Sequence, residues 1–68
     1  MDSYTERILD CLRKAAPRDL HLDEIVKATG IHRNTVGKYV YALVKEGRIV
    51  ETRRIGRIGF YTIPKEKK

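Results

Sequence analysis

Two amphipathic segments separated by only three residues, Gly30-Ile31-His32, constrain this chain more than any other feature. In "LDEIVKAT", Leu22, Ile25 and Val26 fall on one side. In the segment from Arg33 to Glu46, Val36, Val40, Leu43 and Val44 do the same. Recurrence at three and four residues predicts an amphipathic helix. Asp23 and Glu24 stand in the first turn of the earlier helix, where acids suit the helix dipole. Gly30 and Gly47 follow the two segments as helix-ending C′ residues. Ile31 anchors the short turn. Two helices so closely tied must share one core.

The flanking sequence completes the pattern. "SYTERILDCLRKAA" predicts a first helix, with Ser3 and Glu6 as a capping box and Pro17 as its stop. Tyr4, Ile8, Leu12 and Ala15 form its apolar face, with Cys11 beside it as a small core residue. Leu20 and Leu22 alternate around His21, so a brief extended piece is expected near 19–22. After Gly47 the period changes. Ile49 and Val50 begin one strand; Phe60, Tyr61 and Ile63 fill a second; Gly56, between Arg54 and Arg57, marks a hairpin tip. The expected fold class is α+β: three helices with a C-terminal two-stranded hairpin and a short extra strand. The domain runs over 1–63, and 64–68 is a charged disordered tail.

Size narrows the functional classes. The chain has 68 residues, and a domain of about this length buries only about 60% of its unfolded surface. A deep catalytic cleft is hard to build at that size. No paired carboxylates, nucleophile–base pair or phosphate-cradling glycine loop stands out, so an enzyme is not expected. Lys and Arg number 15 against 9 Asp and Glu, giving a net charge of +6. That balance points to an anionic partner. A lone cysteine and two histidines give neither a disulfide nor a zinc site, and no metal or cofactor is expected. The start "MDSYTERILD" is not a signal peptide, and no apolar run approaches the ~20 residues that cross a bilayer. A cytoplasmic protein, nucleoid-associated if prokaryotic, follows, with no membrane partner.

The segment "LDEIVKATGIHRNTVGKYVYALVKEGRI" followed by "VETRRIGRIGFYTI" resembles the winged helix-turn-helix family of DNA-binding domains. Ile25, Gly30, Ile31, Thr35-Val36, Val40, Leu43, Gly47 and Ile49 carry the resemblance, which covers residues 4–63. It implies a small transcriptional regulator that binds double-stranded DNA. The helix at about 33–46 would enter the major groove, and the 53–57 wing would lie on the backbone or minor groove. The residues themselves agree. With Val36, Val40 and Leu43 inward, the opposite face carries Arg33, Asn34, Gly37, Lys38 and Tyr41. Arginine binds guanine O6 and N7 in the major groove, and asparagine binds adenine N6 and N7. Lys38 and Tyr41 reach for phosphates. His32 and Thr35 sit at the helix start, where backbone N–H groups favour an anion. On the wing the candidates are Arg53, Arg54 and Arg57.

Other positions have plainer roles. His21 belongs to the start of the second helix. His32 stands where the family often has Ser or Asp as N-cap, which weakens the helix start but brings an imidazole to a phosphate site. Of Tyr39 and Tyr41, one is expected against the hairpin and the other in solvent. Tyr4, Tyr39 and Phe60 offer an apolar surface for a homodimer; no small-molecule ligand is expected. Two other functions fit the fold: a protein-interaction winged helix within a multiprotein complex, and a structure-specific binder of RNA or left-handed DNA. The basic helix face counts against the first. Against the second, Gly37 replaces the asparagine of the Z-alpha type of winged helix, and the wing lacks proline. Gly37 itself is costly by about 1 kcal/mol relative to alanine. It is explained either by close approach of a partner or by a tight contact inside the protein.

Overall fold

The computed structural model describes residues 3–64. Helix α1 spans Ser3–Ala15, strand β1 Leu20–His21, helix α2 Leu22–Thr29, helix α3 Arg33–Lys45, and strands β2 Val50–Ile55 and β3 Ile58–Thr62. The three strands form one antiparallel sheet in the order β1-β3-β2. The expected tail, apart from Pro64, lies outside the described residues. Ser3 is already helical, so it is not the residue preceding the helix that a capping box requires.

The core gathers Ile8, Leu9 and Leu12 of α1, Leu20, Ile25, Ile31, Val36, Val40 and Leu43, and Ile49, each at most 5% exposed. Two details depart from the apolar face expected for α1. Leu9 is buried, whereas Tyr4 is 41% exposed and lies edge-on to Tyr39 of α3. Burying both Ile8 and Leu9 widens the stripe toward α2 and α3, and the first turn projects past the core.

The link between α2 and α3 is held by groups from three elements. Gly30 takes φ +74°, a conformation that glycine adopts without a Cβ penalty, and its N–H donates to the Val26 carbonyl at 2.7 Å. The Thr29 hydroxyl donates to the Ile25 carbonyl at 2.8 Å and accepts from the Ile31 N–H at 3.2 Å. Arg7 of α1 donates to the Thr29 carbonyl at 2.5 Å. The end of α2, its exit loop and α1 are thereby fixed together, and the direction in which α3 leaves is set. Gly47, at φ +79°, turns the chain out of α3, and the Arg48 N–H returns to the Leu43 carbonyl at 2.9 Å.

The sheet carries the hairpin outward. Ile55 pairs with Ile58 across the two-residue turn Gly56-Arg57. Along β2, Glu51 faces Tyr61 and Arg53 faces Phe60, so Thr52 is an extra residue and makes a bulge. A bulge bends and twists its strand. Here the Thr52 hydroxyl donates to Asp19, just before β1, and on its other side meets the Phe60 carbonyl at 3.3 Å.

Candidate nucleic-acid interface

Helix α3 begins at His32, whose Nδ1 accepts the Asn34 N–H at 3.1 Å. The imidazole therefore does the work of the Ser or Asp expected there, so the helix start is capped rather than weakened. At α2 the arrangement is reversed: the Glu24 carboxylate, inside the first turn, accepts the N–H of His21, the residue before the helix, at 3.1 Å. His21 is thus structural, and its ring also lies edge-on to Phe60 at 5.3 Å.

Beyond the cap, α3 presents three kinds of surface. Asn34 and Lys38 are exposed on the face away from Val36, Val40 and Leu43, while Thr35 is half-buried. Tyr39 turns to α1, where its ring lies edge-on to Tyr4. Gly37, Tyr41 and Val44 flank an open groove of about 310 Å³ whose far wall is Glu51, Arg54 and Tyr61. Gly37 is therefore at the hairpin edge of the helix face, not at its middle. A Cβ built there meets nothing within 4 Å, which removes a tight internal contact as the reason for the glycine. Tyr41 is 65% exposed, with the Lys45 ammonium 5.2 Å from its ring centre.

The arginines are held unequally. Arg33 meets Asp23 at 2.6 Å, Arg53 meets Asp19 at 3.1 Å, and Arg54 meets Glu51 at 2.9 Å. Arg53 also lies 4.4 Å from the centre of the Phe60 ring. Asp19, accepting from Thr52 and from Arg53, is held below the usual carboxylate range. Among the described residues, no carboxylate pairs with Lys38 or Arg57. These acid partners come from ten or more residues away for Arg33 and Arg53, and sequence spacing gives no sign of them.

Arg33, Arg54 and Arg57 meet at a second, smaller cleft of about 120 Å³, where the starts of α2 and α3 face the hairpin. Arg54, Tyr61 and Leu22 line both clefts, so the two adjoin: the smaller is basic, with three arginines against Asp23, and the larger is mainly apolar, with Arg54 balanced by Glu51. Ten expected site residues thus divide. Arg33, Gly37, Tyr41, Arg54 and Arg57 border this double cleft; Asn34 and Lys38 stand on the outward helix face; His32 and Thr35 mark the helix start; Arg53 lies against Phe60 and Asp19. Tyr61, Asp23 and Glu51 also belong to this surface. Only the cross-strand register and the loop geometry place them there.

Cys11 packs against the core as expected. Burial, and then the Asp10 carboxylate, push its thiol above the ordinary range, so the thiolate is disfavoured. Among the described residues no group of three potential metal ligands occurs, and no helix is long and apolar enough to cross a membrane.

No curated protein and no solved structure matches the chain. The family model of the IclR helix-turn-helix domain matches residues 6–53, from α1 through the turn and α3 into β2. With three helices, a glycine turn and an antiparallel wing in that order, the chain belongs to the IclR helix-turn-helix domain family, a group of DNA-binding domains of transcriptional regulators.

Proposed function

We propose that the domain binds duplex DNA with α3 in the major groove and the β2–β3 hairpin on the flanking backbone or minor groove. The observation that carries this reading is that the start of α3 and the hairpin bring Arg33, Arg54 and Arg57 into one cleft. The B-DNA major groove, about 12 Å wide, admits a helix. Asn34 and Lys38 are the side chains that α3 extends toward it, with Tyr41 beside them. Gly37 lets a DNA strand lie close to the helix backbone in the groove beside the hairpin. Arg57, at the tip and with no carboxylate partner among the described residues, supplies the wing contact. Regulation acts by occupancy: the bound domain blocks or recruits other proteins at its site. The reading includes no cofactor, metal or small-molecule ligand, and it locates the protein with cellular DNA, in the cytoplasm. Pairing of two copies on DNA belongs to it as well. Its supporting feature is the exposed Tyr4 on the α1 side of α3, and sedimentation of the free and bound protein measures it.

The test is a salt series on equal lengths of duplex DNA, single-stranded DNA and RNA. Duplex binding through about five phosphates gives a slope of log K against log salt near −4 to −5. Arg57→Ala weakens every sequence alike and makes that slope shallower by about 0.9. Absence of a duplex preference overturns the proposal. A flat salt dependence would support the protein-interaction function instead.

A further inference from the structure

The small cleft between the starts of α2 and α3 and the hairpin contains a chemical imbalance. Its lining brings Arg33, Arg54 and Arg57 together with a single carboxylate, Asp23. Asp23 is 60% exposed and holds Arg33 at 2.6 Å across ten residues of sequence. Arg54 also pairs with Glu51 at 2.9 Å, and Arg57 has no carboxylate partner among the described residues. The volume, about 120 Å³, is well below the roughly 300–1,000 Å³ of small-molecule pockets. It suits one compact anionic group, not a nucleoside or a metabolite. Guanidinium forks match phosphate oxygens bidentately, and such charge-assisted pairs are stronger than neutral ones.

We propose that this cleft is a seat for one phosphate group, and that Asp23 fills the same role in the free protein and is displaced when the phosphate arrives. The inference rests on the DNA-binding reading and adds a site and a brake to it. Arg33 is thereby assigned to the backbone and not to a guanine edge. It holds the phosphate together with Arg57, while Arg54, shared with the neighbouring groove, closes the side toward the hairpin. Asp23 has two effects. It competes for Arg33, and once displaced it remains beside the entering phosphate and repels it. The brake is weak by design of its position, because an exposed ion pair contributes little. It lowers binding to all DNA without abolishing it.

The experiment measures binding of the full chain to a short random-sequence duplex at fixed ionic strength. The wild type is measured first: lack of duplex preference overturns the DNA-binding reading and this inference with it. Given duplex binding, Asp23→Asn tightens it about two- to fivefold, the fold-change equivalent to an exposed ion pair. Asp23→Ser gives the same gain, and thermal melts confirm that both variants fold. Asp10→Asn makes the same change in net charge on α1, where Asp10 pairs with Lys14, and leaves binding close to that of the wild type. In an Arg33→Ala background the gain from Asp23→Asn shrinks below half. No gain, looser binding, a gain matched by Asp10→Asn, or a full gain without Arg33 overturns the proposal. A second arm identifies the source of the phosphate. Inorganic phosphate replaces chloride at constant ionic strength. If it displaces duplex in a manner lost with Arg33→Ala and Arg57→Ala, the seat also takes free phosphate. If it does not, while the Asp23→Asn gain holds, the seat is for the duplex backbone.

Discussion

Gly37→Ala separates stability from recognition in one substitution. Glycine within a helix is less favourable than alanine by about 0.8–1.0 kcal/mol, because its backbone loses more freedom on folding. Offsetting strain would require a neighbour for the new methyl, and a Cβ at Gly37 has none within 4 Å. The full propensity gain therefore reaches the folded state. For a domain of this size 1 kcal/mol corresponds to roughly 4–8 °C in Tm, so the variant melts about that much higher. DNA affinity moves the other way. The methyl projects toward the groove bounded by Tyr41, Glu51, Arg54 and Tyr61, where the bound strand approaches α3. Adding a methyl to a closely packed contact costs about 1–3 kcal/mol, equivalent to a roughly 5- to 150-fold loss of affinity.

Calorimetric or circular-dichroism melts and anisotropy titrations on the same preparation measure both quantities. Because the variant is the more stable protein, weaker binding cannot be assigned to unfolding. A higher Tm with unchanged affinity refutes close approach at Gly37. A lower Tm refutes the open surroundings from which the gain was worked out.

Two further outcomes test how the binding surface is held. Thr29→Val keeps the shape of a buried side chain but leaves the Ile31 N–H without its acceptor; an orphaned buried donor costs about 1–3 kcal/mol, read as a lower urea midpoint with an unchanged m-value. Asp19 has a carboxyl pKa held below its ordinary range by Thr52 and Arg53. Its contribution is thus fully present above the unfolded pKa, about 3.9, and is lost as pH falls through the folded value. Melts at neutral pH should therefore separate wild type from Asp19→Asn, and the separation should narrow as the pH falls below about 3.9 toward the folded value; a separation that does not narrow in acid contradicts the assigned clamp.

The order and bounds of the elements were legible because each rests on local chemistry. Helical spacing placed α2 and α3, the positive-φ glycines ended them, and the change to alternation after Gly47 marked the hairpin. What escaped sequence reading depends on distant residues. Thr29 carries no signal in the sequence, yet its hydroxyl joins α2 to the loop. Tyr39 is expected from sequence at the hairpin, in solvent or on a shared apolar surface, and only helix packing sets its ring edge-on to Tyr4. The basic residues of α3 and the hairpin were readable as a charged set, but not their division into paired and unpaired groups. That division depends on Asp19, Asp23 and Glu51, which the fold delivers from the residue before β1, from α2 and from the start of β2. For His32, chemistry competes with expectation: an imidazole nitrogen accepts an N–H as an oxygen would, so a residue outside the usual capping set still caps α3.

The pairing of charges changes how the net charge of +6 should be read. A basic domain that left every arginine unpaired would hold tightly to any duplex, since phosphate neutralisation is indifferent to sequence. Here Arg33 and Arg54, which line the clefts, and Arg53, beside Phe60, already have carboxylates at 2.6–3.1 Å. DNA must exchange each of those contacts for one of its own, so part of the attraction is cancelled before binding starts. Such exchange weakens binding to any duplex, because the phosphates it concerns are common to all sequences. At the right sequence, contacts from Asn34 and Lys38 in the major groove are added on top of the same exchange. The acids therefore lower specific and non-specific affinity by the same factor and leave their ratio unchanged. In a genome of competing sites it is that ratio that sets occupancy, so discrimination rests on the major-groove contacts and the acids set only the overall tightness. Neutralising Asp19, Asp23 and Glu51 together is then expected to tighten binding to random duplex and to a selected target by similar factors. Parallel titrations against the two duplexes measure it, and a clearly larger gain on either one would refute an exchange confined to phosphates.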